Sequence, residues 1–290
     1  MIAVMCLHPS IDRTLELALP LEVGGLNRAV KVFERAGGKG VNVGSVLGSL
    51  GAEVCVILPV AGTNGLKLEN LLQKQNISNF KLVVPGETRE CQAILDGAQV
   101  TEINESGPRL DPSDLAKLEA LIPASARFVV LSGSLPPGLK ALEFGAFVRR
   151  LSVDYQVVVD TSGAALKVAL ENGAYLIKPN ETELEQLGLR AKEIFQQFNT
   201  RVLHSKGADG LEYVGEEGSF FQTSSKIEVI NPVGAGDATL AGFLFGLNRG
   251  RSIQDSLRYA SVCGAAACLE PVAGVVNPLN IESLLGVVHA

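Results

Sequence analysis

The sequence predicts an α/β fold in which a mostly parallel sheet carries helices on both faces. Short, apolar, β-rich runs predict buried strands at residues 54–60, 128–132, 157–160, 175–177 and 202–205. Helical patterns lie between these runs, at residues 65–75, 112–121, 142–151, 164–171 and 181–187. Because parallel neighbours need a crossover connection, which is usually a helix, this alternation predicts parallel strands with helices packed against the sheet.

Three further helices complete this pattern. One is predicted at residues 43–50, after a Gly-rich segment, and two more are predicted near the C-terminus, at residues 235–248 and 253–269. In the first of these two, Leu240, Phe243, Leu244 and Leu247 recur at the i, i+3, i+4, i+7 spacing. That spacing gives a helix one continuous apolar face.

Two stretches depart from the strand–helix rhythm and predict a small separate β-sheet. Residues 11–33 and 81–105 alternate apolar and polar side chains, and both are interrupted by turn residues. Asp96-Gly97 between two β-rich runs is a hairpin signal. Because these strands have few residues with which to bury their own face, we expect the small sheet to cover a site or a partner subunit.

Composition excludes several classes of partner. The 290 residues carry a net charge of −6 and no run of Lys and Arg, which argues against nucleic acid or an anionic membrane surface as a partner. No apolar stretch reaches transmembrane length, and the first residues resemble a β-strand more than a signal peptide. The five cysteines form no Cys-x-x-Cys pair, so reduced thiols in a cytoplasmic protein are expected.

The segment Asn231-Pro-Val-Gly-Ala-Gly-Asp237 is suited to phosphoryl transfer. It is a Gly-rich turn that leads directly into an apolar helix, with a carboxylate in the first helical turn. Gly234 and Gly236 leave backbone N–H groups uncovered at a helix N-terminus, which favours negative charge. Asp237 could accept the proton of an attacking hydroxyl beside that site. An ordinary helix start with turn glycines and a stabilising Asp would look the same.

Two segments are candidates for binding a sugar. Ala36-Gly-Gly-Lys-Gly-Val-Asn42 would let the backbone approach a ligand, with Lys39 and Asn42 donating hydrogen bonds, although it also fits a plain Gly-rich loop. Gly86-Glu-Thr-Arg89 places an arginine on the small sheet. Its guanidinium suits a bidentate grip on phosphate, but it could equally be a solvated surface charge.

Four more polar segments follow predicted strands, where ligands bind in open α/β sheets. Ser132-Gly-Ser-Leu-Pro-Pro-Gly138 could form the floor of a site, Val159-Asp160-Thr161 is a candidate by position alone, and Ser205-Lys-Gly-Ala-Asp-Gly210 could contact a nucleotide phosphate or ribose. Asn180 and Glu183 place two oxygen ligands at a helix start, which suits a hydrated Mg²⁺. The same pair matches a capping box equally well.

Taken in order, seven segments resemble the ribokinase/PfkB family of ATP-dependent sugar kinases along nearly the whole chain. They are Gly-Gly-Lys-Gly-Val-Asn42, Gly86-Glu-Thr-Arg89, Thr101-Glu-Ile-Asn-Glu105, Ser132-Gly-Ser-Leu-Pro-Pro-Gly138, Lys178-Pro-Asn-Glu-Thr-Glu183, Ser205-Lys-Gly-Ala-Asp-Gly210 and Asn231-Pro-Val-Gly-Ala-Gly-Asp237. Within the family the chain resembles the branch that phosphorylates sugar phosphates, namely 1-phosphofructokinase and tagatose-6-phosphate kinase.

The resemblance implies a ribokinase-like, Rossmann-like single domain over residues 1–290, with a small β-lid formed by residues 11–33 and 81–105 and often used for dimerisation. It also implies ATP and Mg²⁺ as cofactors, a small-molecule sugar phosphate as substrate, and roles for individual residues. Asp237 would be the base, and the amides of Gly234, Ala235 and Gly236 would form the anion hole. The other implied roles are sugar-phosphate binding by Asp12, Gly38, Lys39, Asn42, Ser134 and Arg89, Mg²⁺ organisation through water by Asn180 and Glu183, and nucleotide binding by Lys178, Asn180, Ser205, Gly207, Gly210 and Gly236.

The sequence departs from the family pattern on the sugar side. His8-Pro-Ser-Ile-Asp12 stands where the family has Asn-Pro-x-x-Asp, and Val43-Gly-Ser45 stands where close relatives commonly carry an arginine. Ile11-Asp-Arg-Thr and Thr101-Glu-Ile-Asn-Glu105 favour 1-phosphofructokinase, whereas Ala-Gly-Gly-Lys-Gly, Asn-Pro-Val-Gly and Ser162-Gly-Ala-Ala-Leu favour tagatose-6-phosphate kinase. Fructose 1-phosphate is the favoured substrate, and tagatose 6-phosphate or another free or phosphorylated sugar is the alternative.

Two other classes of protein fit the sequence less well than a kinase. A dinucleotide-dependent oxidoreductase should carry Gly-x-Gly-x-x-Gly after its first strand, but Leu7-His-Pro-Ser-Ile-Asp12 stands there instead. A non-catalytic sugar-phosphate sensor could keep the small sheet and lose the base, yet Asp237 and its glycines are present. The sequence therefore favours an enzyme.

Overall fold

The structure is a computed structural model that describes residues 1–97 and 99–286. Its strands are β1 (Ile2–Met5), β2 (Ser10–Leu17), β3 (Ala29–Gly37), β4 (Val54–Val60), β5 (Asn79–Val83), β6 (Arg89–Leu95), β7 (Val100–Asn104), β8 (Phe128–Ser132), β9 (Gln156–Asp160), β10 (Leu176–Ile177), β11 (Arg201–Ser205), β12 (Leu211–Gly215) and β13 (Gly218–Gln222). Its α-helices are α1 (Lys39–Ser49), α2 (Gly62–Lys74), α3 (Pro112–Glu119), α4 (Ala141–Leu151), α5 (Gly163–Glu171), α6 (Glu181–Leu187), α7 (Ala191–Phe198), α8 (Ala235–Asn248), α9 (Ile253–Cys268) and α10 (Pro278–Leu285).

Nine strands form the main sheet in the order β13-β12-β11-β10-β9-β8-β1-β4-β5. Seven of them run parallel, from β11 to β5, while β12 and β13 pair antiparallel at one edge. The fold is therefore the mixed α/β architecture with a mostly parallel sheet that the sequence predicts.

Both faces of the main sheet are buried under helices. In β1, Ile2 and Val4 pack into the core on the side of α1, α8 and α9, whereas Ala3 and Met5 pack into the core on the side of α3, α4 and α5. Burial on both faces explains why the central strands appear in the sequence as continuous apolar runs. In the described part of the chain, no helix has both the length and the apolarity needed to cross a membrane.

The small sheet contains four strands in the order β3-β2-β6-β7. β2 pairs antiparallel with β3 and parallel with β6, and β6 pairs antiparallel with β7 across the predicted Asp96-Gly97 turn. Residues 81–83, which the sequence places in this sheet, belong instead to β5 at the edge of the main sheet. β5 is an edge strand with half-exposed faces, as in its exposed Phe80 and Val83, so its alternation resembles that of the small sheet.

Most predicted elements are present with nearly the predicted bounds. The strands at 54–60 and 128–132 and the helices at 181–187 and 235–248 have the predicted bounds, and the other predicted elements differ by one to four residues at an end. β12, β13, α7 and α10 were not predicted. α7 and α10 are short helices of eight residues, and α7 was missed although Ala191, Ile194, Phe195 and Phe198 recur at the i, i+3, i+4, i+7 spacing.

Candidate active site

A cavity of about 660 Å³ lies at the carboxyl ends of the parallel strands, under the small sheet. Its lining includes residues that follow β1, β8, β9 and β10, together with residues of β2, β3 and β6. Among them are thirteen of the sixteen residues predicted to form the site: Asp12, Gly38, Lys39, Asn42, Arg89, Ser134, Lys178, Asn180, Glu183, Ser205, Gly234, Gly236 and Asp237. The fold thus brings residues from distant parts of the sequence to one place, and their individual roles stay predictions.

Asp237 lies in the first turn of α8 at one end of this cavity. The turn before the helix needs a glycine at position 234, because its φ is +82° and a Cβ there would lie 3.0 Å from the Cβ of Ala273. Asp237 is only 4% exposed, and the side-chain amide of Asn42 donates a hydrogen bond of 2.9 Å to its Oδ2. The other carboxylate oxygen is not held by that bond, which is the arrangement a general base needs.

The environment raises the pKa of Asp237 from 3.8 to about 7. Burial is the largest cause and the negative charge of Asp160 is the second, while Lys39, the Asn42 hydrogen bond and Lys178 oppose them. A carboxyl with a pKa near neutrality can accept a proton in one step and release it afterwards.

One of the three backbone amides predicted to form an anion hole already has an acceptor within the protein. The backbone N–H of Ala235 donates to the carbonyl of Pro232 at 3.2 Å, so this amide is already engaged. Gly236 and Asp237 occupy the first turn of α8, where backbone N–H groups have no acceptor within the helix. The available donors at the helix N-terminus are therefore shifted toward Gly236 and Asp237, and Ala235 does not line the cavity.

Asp160, at the end of β9, is the acidic residue to which the sequence assigned no role. It is 1% exposed, and its Oδ1 lies 3.3 Å from Lys178 Nζ and 3.8 Å from Lys39 Nζ. Asp160 is also the largest cause of the raised pKa of Lys39, which keeps that lysine charged. The three side chains come from three separate elements, so only its place after a buried strand could have marked Asp160 in the sequence.

Asn180 and Glu183 form a capping box at the start of α6. Asn180 Oδ1 accepts from the Glu183 amide, and Glu183 Oε2 accepts from the Asn180 amide, each at 2.9 Å. Both side chains also line the cavity. Carboxylate and amide oxygens with water between them are the ligands that Mg²⁺ prefers, so these residues fit a magnesium ion.

Arg35 is a second site residue without a prediction from the sequence. It lies opposite Asp12 in the β2–β3 pair, is 7% exposed, and lines the cavity. Its guanidinium donates to Ser45 Oγ at 3.3 Å, to Gln75 Oε1 at 3.1 Å, and to the carbonyl of Ala273. Burial lowers the pKa of Arg35 to about 10. A guanidinium from β3 thus lies beside the helix position at which close relatives were expected to carry an arginine.

Asp12 and Arg89 line the cavity from neighbouring strands of the small sheet. Asp12 accepts a hydrogen bond of 2.6 Å from Ser10 Oγ, and burial raises its pKa. Arg89 Nη2 donates to the carbonyl of His8 at 2.9 Å, while its buried Nε has no hydrogen-bond partner in the described structure. Arg89 therefore links β6 to the segment after β1, and its Nε–H is a donor without an acceptor in the described structure.

Two residues predicted to bind the nucleotide do not line the cavity. Gly207 and Gly210 flank a short 3-10 turn after β11, whereas Ser205 at the end of that strand does line the cavity. Gly210 has a φ of +130°, and a Cβ there would collide with the carbonyl of Gln222. A backbone requirement of the β11–β12 turn is thus sufficient to explain this glycine.

The arrangement as a whole can transfer an anionic group to a hydroxyl. One cavity contains a buried carboxylate with a raised pKa, free amides at a helix N-terminus and two lysines. Phosphoryl transfer requires groups of these kinds. A family model for pfkB family carbohydrate kinases matches residues 8–279. The chain therefore belongs to the pfkB family, whose members transfer a phosphoryl group to a sugar hydroxyl.

Solved structures of kinases have the same fold. Phosphofructokinase-2 from Escherichia coli, in complex with substrates and products, is 26% identical over 98% of each chain, with a TM-score of 0.91. A protein from Thermotoga maritima described as a possible 1-phosphofructokinase is 23% identical over 99% of this chain and 97% of its own, with a TM-score of 0.85. Thermotoga maritima ribokinase is 17% identical over 99% of each chain, with a TM-score of 0.76, so the fold is ribokinase-like.

Proposed function

We propose that the protein is an ATP-dependent kinase that transfers the γ-phosphoryl group to a hydroxyl of a ketohexose monophosphate. The observation that carries this proposal is Asp237, a buried carboxylate at the N-terminus of α8 whose pKa is raised to about 7. It would accept the proton of the attacking sugar hydroxyl while the first amides of α8 stabilise charge on the transferred group.

Fructose 1-phosphate, converted to fructose 1,6-bisphosphate, is the favoured substrate. A phosphorylated acceptor is supported by two cationic side chains that line the sugar side of the same cavity, Lys39 and Arg89. Such groups can bind a dianion at a distance from the group being transferred. The motifs around Asp12 and at residues 101–105 favour fructose 1-phosphate over tagatose 6-phosphate.

Fructose 6-phosphate is the second candidate. One observation favours it: Escherichia coli phosphofructokinase-2, 25% identical over 98% of each chain, is described in complex with fructose-6-phosphate. Both fructose phosphates would give the same bisphosphate product, so the two candidates differ in which end of the sugar the cavity holds near Asp237.

Mg²⁺ would be held by Asn180 and Glu183 through water, and it would neutralise charge on the ATP phosphates. Lys178 and Ser205 would contact the nucleotide from the ends of β10 and β11. Lys39 would lie on the sugar side, and its ion pair with the buried Asp160 would hold its ammonium group in place.

We also propose that a homodimer forms through the small sheet, which would act as a lid of the single domain. The small sheet and its adjoining loop expose large apolar side chains: Leu19, Val23, Leu26, Val30, Val32 and Ile103. Such a surface commonly marks a protein interface. A tetrameric inhibited form is described for Escherichia coli phosphofructokinase-2. A dimer mass by light scattering at micromolar concentration would support the proposal, and a strictly monomeric mass would refute it.

The experiment that tests the function is an ATP-consumption screen over free and phosphorylated ketoses. We expect turnover of ketohexose monophosphates, with the highest kcat/KM for fructose 1-phosphate. Turnover confined to free sugars would show that the protein is not a sugar-phosphate kinase and belongs to another branch of the family. Tight binding of a sugar phosphate without any ATP consumption would indicate the non-catalytic sensor.

A further inference from the structure

His8 and Ser134 form a hydrogen-bonded pair on the wall of the cavity. His8 follows β1, is 7% exposed, and presents its Nδ1 3.0 Å from Ser134 Oγ. Its other ring nitrogen, Nε2, lies 2.8 Å from the backbone carbonyl of Ser106. His8 and Ser134 both line the cavity.

The carbonyl of Ser106 determines which ring nitrogen carries the proton. A carbonyl oxygen can only accept, so Nε2 must be the N–H donor. Burial, together with the charge of Arg89, lowers the pKa of His8 to about 4, and the ring is therefore neutral at neutral pH. In a neutral ring with its proton on Nε2, Nδ1 is an acceptor. The hydroxyl proton of Ser134 is then donated to Nδ1.

The surroundings hold the His8 ring in this position before any substrate binds. Arg89 Nη2 donates to the His8 carbonyl at 2.9 Å, which fixes the backbone of the residue. Gly107 has a φ of +69°, and a Cβ there would lie 2.9 Å from His8 Nε2. The segment beyond β7 therefore leaves room for this ring only because it has a glycine.

We propose that His8 determines substrate specificity by accepting a hydrogen bond from the Ser134 hydroxyl. Because its own proton is engaged in this way, Ser134 accepts a hydrogen bond from a free hydroxyl of the sugar and does not bind the sugar's phosphate. This inference rests on the proposed function and deepens it. A phosphate monoester is largely a dianion at neutral pH, because its second pKa is about 6. Its oxygens and Ser134 Oγ would present lone pairs to each other. The phosphate is then left to Arg89 and Lys39.

The test uses fructose phosphates in which one hydroxyl at a time is replaced by hydrogen or by fluorine, which cannot donate a hydrogen bond. With the wild-type protein, we expect one position, other than the hydroxyl that is phosphorylated, at which both replacements lower kcat/KM by roughly ten- to hundredfold, because Ser134 loses its donor. The loss should disappear in Ser134→Ala. In His8→Phe, the Ser134 hydroxyl can donate a hydrogen bond to the sugar again. The kcat/KM of the fluoro analogue should therefore recover relative to that of the deoxy analogue. Ser162→Ala, which removes another hydroxyl of the same cavity, should keep the wild-type discrimination.

Two results would overturn the proposal. If the fluoro analogue matches the parent sugar at every position that Ser134→Ala affects, Ser134 is a donor. If ¹⁵N NMR of the substrate-free protein at pH 7 shows a charged His8 ring or a proton on Nδ1, the assignment fails regardless of folding in the variants. Should no ketohexose phosphate be turned over, the proposed function is wrong, and the same analogues of the sugar that is turned over decide the role of His8.

Discussion

Asp237→Asn should separate catalysis from stability, because the two effects have opposite signs. The amide is isosteric with the carboxylate and can still accept the hydrogen bond from Asn42, but it cannot take a proton from the sugar hydroxyl. We expect kcat to fall by roughly 10²–10⁴-fold, the usual worth of a general base. The KM for ATP should change little, since the proposed nucleotide contacts come from Lys178 and Ser205.

The same substitution should stabilise the fold at alkaline pH. The pKa of Asp237 is raised from 3.8 to about 7 on folding, so the folded state binds a proton more tightly than the unfolded state does. Below pH 4 the carboxyl is neutral in both states and the variant should match the wild type. As pH rises through 7 the wild type must hold a buried carboxylate, at a cost on the order of 4 kcal/mol for about three pKa units.

Two assays check these expectations. Urea denaturation of both proteins at pH 4 and pH 8 measures the stability difference, and kcat/KM of the wild type should rise with pH through about 7 as the base ionises. Asp154→Asn is the matched control, because it removes the same charge from an exposed position outside the cavity. A stability difference that does not depend on pH, or turnover near the wild-type rate in Asp237→Asn, would refute the reasoning.

Four other substitutions test the remaining parts of the site. Arg89→Ala should raise the KM for the phosphorylated sugar by one to a few decades, in line with roughly 1.5–3 kcal/mol for a charged hydrogen bond, and an equal loss on free sugars would show that Arg89 only ties the small sheet in place. Asn180→Ala or Glu183→Ala should raise the Mg²⁺ concentration that gives half the maximal rate. If the two residues form only a capping box, each substitution should lower the stability measured in a thermal melt by about 0.5–2 kcal/mol and leave the metal dependence unchanged. Arg35→Met should destabilise the protein to urea by about 1–3 kcal/mol, because it leaves the buried Ala273 carbonyl unpaired; a variant as stable as the wild type would exclude that role.

The sequence was sufficient for the parts of the fold that depend on local pattern. Strands buried on both faces, such as β4 and β8, appear as unbroken apolar runs with clear ends. β5 was misplaced because it is an edge strand with exposed residues on both faces, so its sequence lacks the unbroken apolar run of a buried strand. β12 and β13 pair antiparallel at the other edge, and neither strand was predicted.

The site shows the same division between local and long-range information. Motifs along the chain marked Asp237, Lys39 and Asn42, which the cavity brings together. Asp160 was marked only by its position at the end of a buried strand, and Arg35 was not marked, because their importance depends on partners in other elements of the fold, Lys178 and Asp12 respectively. At Gly210 the geometry of the β11–β12 turn already requires a glycine, so its role at the nucleotide stays a prediction.

The central claim is that Asp237 acts as the general base in phosphoryl transfer to a ketohexose monophosphate. Product analysis in a single turnover tests this claim most directly. Wild-type protein mixed with a limiting amount of ATP, Mg²⁺ and fructose 1-phosphate should yield fructose 1,6-bisphosphate, visible by ³¹P NMR as a second phosphomonoester on the sugar. Asp237→Asn should form the same product at least about a hundredfold more slowly. ATP cleavage to inorganic phosphate without a bisphosphate, or equal rates for the two proteins, would contradict the account.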